Sequence, residues 1–229
     1  MGLTKISRDR RRLADIVYDQ LLEAIRSGTI AADKRLVQEK LADELQISRT
    51  PVREALLRLE QDGILASSAR GGFLIHSMTA EEVRELYQAR AAIEGQALRI
   101  LAAQNDARKN EDLRKTINRE ENISSPSIAA YFEANRNIHR RFVELSNNRY
   151  LLEMFDNIWN RGVSYNLFSA IDKLDLSKSF GDHLRLVDAL ETGDVTVATD
   201  AIVGHIGHGY DLQMEALNSE TETLFSPGI

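Results

Sequence analysis

Five histidines and no cysteine are present in this chain, so any transition-metal chemistry must run through imidazole and oxygen ligands rather than thiolates. Three of the histidines sit in sequence that reads as helix: His139 in Asn135-Arg136-Asn137-Ile138-His139, His183 in Asp182-His183-Leu184-Arg185, and His205 in Val203-Gly204-His205-Ile206. Neutral imidazoles converging from three helices are a natural site for a divalent transition metal such as Zn, Ni or Mn. Spacing alone leaves open the alternative of three unrelated polar histidines hydrogen-bonded in a core. His208, three residues after His205, is a competing ligand. A second constellation is Ser48-Arg49-Thr50-Pro51-Val52-Arg53-Glu54-Ala55-Leu56. Arg49 and Arg53 are four residues apart and share one helical face. Two guanidinium forks at a helix N-terminus suit guanine O6 and N7, while Ser48, Thr50 and the free amides of the first turn suit phosphate oxygens. The competing reading is a solvated face, with Arg49 paired to Glu54 or Asp43.

These residues need elements to position them, and the sequence supplies helices. A first helix is expected over about 9–27, with Leu13, Ile16, Val17, Leu21, Ala24 and Ile25 as its apolar stripe and Gly28 as its C-cap. A short helix over 37–45 turns at Gln46-Ile47-Ser48 into a third, which runs to about Gln61 with Ser48 as N-cap and Val52, Leu56 and Leu59 facing inward. Two short strands, 64–66 and 73–75, flank a polar loop. From Thr79, whose spacing to Glu82 is that of a capping box, six helices are expected: 80–104, 110–121, 126–146, 149–171, 176–191 and 194–217. Ser125-Pro126 opens one of them, and Gly193-Asp194 ends one and caps the next. The division is therefore residues 1–76, residues 77–219, and a polar tail at 220–229 expected to be flexible.

The composition excludes several classes. With 229 residues, 43% hydrophobic and 28% charged, the chain can bury a real core and is not disordered as a whole. No apolar run approaches the ~18 residues that cross a bilayer. The opening MGLTKISRDRRR carries no apolar segment behind its charges, so no secretory signal is expected. The absence of cysteine fits a reducing cytoplasm. The net charge of −6 is unevenly spread: residues 1–76 hold 13 Lys+Arg against 11 Asp+Glu, and the remainder 16 against 24. A mildly basic head on an acidic body is compatible with nucleic-acid binding by the head alone.

The run GTIAADKRLVQEKLADELQISRTPVREALLRLEQDGIL followed by RGGFLI, within Gly28–Ile75, closely resembles the winged helix-turn-helix domain of the GntR family of bacterial transcription regulators. The resemblance implies DNA contacts from Arg35, from Arg49, Thr50 and Arg53 on the recognition helix, and from a wing tip of Arg70-Gly71-Gly72. Asp33-Lys34 stands where a Pro-Gly is common in the family. Residues 77–219 resemble the all-helical FCD domain, in its six-helix, VanR-like form. In the family's metal-binding members one Asp and three His ligate, the Asp four residues before the first His. Here that position is Asn135, beside His139, His183 and His205, and an amide carbonyl brings no charge. The resemblance also implies that Arg90 lies near an effector cavity; its alternative is an intrahelical pair with Glu94 at i+4. Trp159, Tyr165 and Phe168 read as core or cavity wall.

The fold class expected is thus mainly α, a winged helix-turn-helix followed by an FCD-type six-helix bundle. The function expected is a ligand-responsive regulator, acting as a repressor, that binds a palindromic operator as a homodimer and senses a small organic acid with a divalent metal. A metal-dependent hydrolase is the alternative, but it needs a general base, and Asp182 is the acidic residue that sequence sets beside these histidines. A constitutive DNA-architecture protein would leave the histidines unexplained. The chain is not expected to be an enzyme or to contact a membrane.

Overall fold

A computed structural model describes residues 12–27, 29–31, 33–123, 128–160 and 182–225. The chain divides into two compact units, 1–76 and 77–229. Gly28, Ser125-Pro126, Tyr165 and Phe168 lie outside the described residues, as do the expected helical stretches 161–171 and 176–181.

The first unit comprises α1 (Leu13–Arg26), α2 (Gln38–Glu44), α3 (Arg49–Gln61), β1 (Leu65–Ser67) and β2 (Phe73–Ile75). Helices α1 and α2 both pack on α3. Val17, Leu21 and Ile25 meet Val52, Leu56 and Leu59 in a closed core, each such burial contributing about 1.5–3 kcal/mol. The α1 stripe is narrower than expected, because Leu13 and Ile16 are exposed. At 3.6 residues per turn they fall on the flank of the face centred on Ala14, Val17, Leu21 and Ile25. Ser48 occupies the N-cap position of α3, but its side chain makes no capping bond. One of the two amides such a hydroxyl can accept from, the second or the third of the helix, is missing, because the third residue is Pro51.

Strand β1 begins one residue later than expected because the Ile64 amide still donates to Leu59 O, closing the end of α3. β1 and β2 pair antiparallel. Leu36 adds a third rung, exchanging two 2.8 Å backbone hydrogen bonds with Phe73. The wing turns through Gly71 and Gly72, at φ +78° and +77°. A Cβ on Gly72 would stand 2.5 Å from the Leu36 carbonyl oxygen, so this position needs glycine for space as well as for backbone angle.

In the second unit the described helices are α4 (Ala80–Gln104), α5 (Ala107–Glu121), α6 (Ile128–Leu145), α7 (Arg149–Asn160), α8 (His183–Glu191) and α9 (Val195–Phe225). The capping box on Thr79 and Glu82 is present in both directions. Helix α5 starts three residues earlier than expected because Asp106 caps it, accepting from the Arg108 amide. Asp194 caps α9 through the amides of Thr196 and Val197. Helix α9 runs on to Phe225 rather than ending at 217. Nothing between 218 and 225 breaks a helix, and the first proline is Pro227, outside the described residues. Helix α4 packs along α9 and also against α6 and α7, while α5 packs on α6 and α8. Leu98, Leu113, Ile138, Phe142, Val187 and Ile202 belong to the main core, and Phe132, Phe155 and Trp159 to a second one.

Two glycines should respond oppositely to alanine. Gly72→Ala is expected to destabilise the protein by about 1–3 kcal/mol through strain and the Leu36 clash. Gly204 is exposed on α9, where an added Cβ meets nothing within 4 Å. Gly204→Ala should therefore stabilise by about 0.5–1 kcal/mol. Urea unfolding curves of both variants measure the two signs.

Candidate functional site

His139 projects from α6, His183 is the first residue of α8, and His205 lies on α9. The fold brings their nitrogens together, all three ligand atoms lying within 4.8 Å of one another. The His139 Nε2 is 3.3 Å from the His183 Nε2 and 3.2 Å from the His205 Nε2. His139 and His183 are almost fully buried. His208 is exposed and stands outside the cluster.

Two carboxylates stand behind these rings. The His139 Nδ1 meets Glu94 Oε2, and the His183 Nδ1 lies 3.0 Å from Glu121 Oε1. Burial alone would raise the Glu94 carboxyl, but His139 and Arg90 overcome it and hold the group at about 2. Burial pushes the His139 imidazole down to about 4, against the pull of Glu94. At neutral pH the pair is therefore an ionised Glu94 accepting from the Nδ1–H of a neutral His139. That tautomer, assigned from the bonding partner, leaves the Nε2 lone pair free. His183, with Glu121 at its Nδ1, turns its Nε2 toward that of His139. The two Nε2 atoms stand 3.3 Å apart inside the protein, a separation that either one shared proton or one shared cation bridges. His205 is also held well below its ordinary range, by burial first and then by the neighbouring imidazoles.

Asn135 lies one turn before His139 on α6 and is buried. Its Oδ1 finds no hydrogen-bond partner among the described residues. An orphaned carbonyl oxygen one helical turn from a clustered imidazole is the type of donor that can accompany such nitrogens on a divalent transition metal.

Arg90 forms the i+4 pair with Glu94, its Nε donating to Oε1 at 3.0 Å. This is not the weak exposed pair that sequence spacing suggests, since Arg90 is 6% and Glu94 1% exposed. The guanidinium stacks 4.5 Å over Trp159 and 5.1 Å over Tyr87. Trp159 also stands 6.0 Å from the His139 ring. Asp182 is not the acid behind an imidazole; it pairs with Arg185 at 2.9 Å. That role belongs to Glu94 and Glu121, which sequence reasoning missed. One local signal existed for Glu121: an acid ending α5 faces the negative end of the helix dipole, so it needs another partner.

In the first unit Arg49, Thr50 and Arg53 are exposed around the first turns of α3. Arg49 pairs loosely with Glu39, at 3.6 Å, rather than with Glu54 or Asp43. Gln38 ties α2 to α3 by donating to the Arg49 carbonyl. Arg53 pairs with none of the described residues. Arg35 donates from Nη1 to the Arg70 carbonyl at 2.8 Å, so its side chain braces the wing tip. Arg70 is exposed, and Gly72 sits under the Leu36 carbonyl.

A three-helix head with a two-stranded wing and an all-helical body defines a class of two-part bacterial regulator. Residues 13–75 match the GntR family of bacterial regulatory proteins, and residues 85–208 match the FCD domain. The chain belongs to the GntR family and carries an FCD domain; it is a DNA-binding transcription regulator. It is 25% identical over 193 residues to the uncharacterized HTH-type regulator YdhC of Bacillus subtilis, covering 83% of this chain and 86% of that one. It is 26% identical over 195 residues to the Nta operon transcriptional regulator of Aminobacter aminovorans, covering 84% and 90%. Its fold is similar to that of E. coli McbR/YncC, with a TM-score of 0.67 at 23% identity, covering 90% and 99%. The family is one of regulators and not of enzymes. The hydrolase alternative finds no support, since Glu94 and Glu121 are both engaged with imidazoles.

The burial of Arg90 makes a stability prediction. Arg90→Ala should cost about 3–5 kcal/mol, because removing one partner of a buried ion pair strands the other. Urea unfolding of chelator-treated protein measures it. A residue serving only a bound effector would leave that unfolding midpoint where it is.

Proposed function

We propose that this regulator binds a palindromic operator as a homodimer in the cytoplasm, and that a divalent metal and a small carboxylate bind together at the three-histidine cluster to control it. A single winged helix reads one half-site, and two-fold symmetry of the protein matches that of a palindrome. Arg49 and Arg53 are the base readers. Ser48, whose hydroxyl makes no capping bond, and Thr50 take phosphate oxygens together with the first-turn amides. Arg35 and Arg70, with Gly72 allowing the close turn, serve the wing.

The observation that carries the sensory half is the convergence of three imidazole nitrogens within 4.8 Å of one another, with the partnerless Asn135 oxygen one helical turn before His139. His139, His183 and His205 would hold the metal through Nε2, with Asn135 as the oxygen donor. The ion supplies a positive, Lewis-acidic position for a carboxylate. The donor set is mostly imidazole and uncharged, which favours Zn and Ni over Mn. Arg90 stands one residue removed, its guanidinium committed to Glu94 and the aromatic rings, so its contribution to effector binding runs through that chain.

For the DNA half, Arg49→Ala or Arg53→Ala should each cost about 1–3 kcal/mol of operator affinity and relax preference at one base pair per half-site. Competition titrations against operator variants read this, and light scattering should give twice 25.8 kDa. Unchanged specificity in both variants would move base reading away from α3. For the sensory half, protein purified without chelator or nickel resin should take up Zn and Ni more tightly than Mn. His183→Ala should abolish that uptake, and a small carboxylate and the metal should each tighten the other. Wild-type protein binding metal no better than His183→Ala would overturn the metal reading and leave the DNA reading intact.

A further inference from the structure

We propose that Glu94 and Glu121 are the charge-setting partners of the histidine cluster, and that Glu94, anchored by Arg90, places a carboxylate directly behind His139 and so offsets locally part of the charge that Asn135 leaves unmet. This rests on the metal reading above and concerns what tunes the site rather than which atoms touch the ion. The four donor groups, three imidazoles and an amide carbonyl, are uncharged. Without a nearby anion, a double positive charge buried among them would go uncompensated. Glu94 is 1% exposed, with one oxygen on the His139 Nδ1 and the other on the Arg90 Nε. The arginine is held in turn against Trp159 and Tyr87. The carboxylate thus cannot swing away, and its position fixes the proton of His139 on the far side of the ring from the cluster. A carboxylate behind a ligating imidazole also makes that nitrogen a stronger donor. Glu121 does the same for His183, but it is less deeply buried and no described cation clamps it, so its effect should be smaller.

Glutamine removes the charge while its carbonyl oxygen still accepts from the Nδ1–H; at position 94 its amide also gives up the bond from Arg90 Nε, which Glu121→Gln does not. The test is titration of metal-free protein with zinc and with nickel alone, by calorimetry and by fluorescence of Trp159, the single tryptophan. Glu94→Gln should weaken metal binding by roughly 10–100-fold, and Glu121→Gln by less. Adding Asn135→Asp to Glu94→Gln should return affinity to within a few fold of wild type, a rescue that a purely structural role for Glu94 would not give. Should Glu94→Gln fail to fold, Glu121→Gln with and without Asn135→Asp carries the same comparison of loss and recovery. Wild-type binding that Glu94→Gln leaves unchanged, or a loss that Asn135→Asp does not recover, would overturn the proposal while leaving the metal reading standing. Failure of the metal reading would show separately, as wild type binding no more tightly than His183→Ala, and would remove this proposal with it.

Discussion

Burying an ionised carboxylate against an imidazole is costly unless every charge is matched, and the body of this protein is arranged around one such match. Arg90, Glu94 and His139 form a chain that is buried from end to end. Arg90 and Glu94 come from α4, His139 from α6, and the aromatic face that covers the guanidinium includes Trp159 of α7. The packing of α4 on both α6 and α7 is thus tied to a polar contact with a single satisfactory geometry. Hydrophobic contacts tolerate small slips of one helix along another; a three-member hydrogen-bonded ion chain does not. The same chain fixes the tautomer of His139, and so aims its lone pair at the place where His183 and His205 converge. Helix packing and cluster chemistry have one common cause.

The head depends on backbone rather than on buried charge. Leu36 and Phe73 exchange both of their hydrogen bonds across the base of the wing, and Gly72 is what lets the strands come that close. Arg35 then reaches the Arg70 carbonyl, so the segment before α2 and the wing tip are held together before any DNA is present. Pro51 has the complementary effect on α3. It removes one of the two amides a Ser48 cap could use, and the Ser48 hydroxyl makes no capping bond at the end of the helix that carries Arg49 and Arg53.

Features governed by neighbours along the chain were legible in the sequence. The inward face of α3, the Thr79–Glu82 capping box, the Asp194 cap and the hairpin all follow from spacing, and the run SRTPVREAL together with the wing identifies the family. The three histidines could be singled out, and their convergence expected from the resemblance. What could not be read is what stands behind them. Glu94 lies 45 residues from His139, and Glu121 lies 62 from His183; no period or cap links such positions. The Ser48 cap failed for a subtler reason. The residue type was right, but one of the two amides it could cap, that of position 51, does not exist in a proline. Likewise α9 passes its expected end at 217 because polar composition alone does not stop a helix, whereas proline or glycine does.

The charges around the cluster also bear on why an acid should be its effector. With the imidazoles neutral, Arg90 and Glu94 cancel, and Glu121 leaves one negative charge nearby. On the proposed reading, a divalent ion turns that into one net positive charge in a largely buried place. An aspartate at position 135 would have brought the filled site to neutrality by itself; Asn135 does not. The remaining positive charge is best met by a singly charged anion with an oxygen to offer the ion, which is the description of a small monocarboxylate. On the proposed reading, the departure at Asn135 and the sensing of an acid would share one electrostatic cause, because a site one negative charge short when metal-filled binds its anion more strongly than one already neutral.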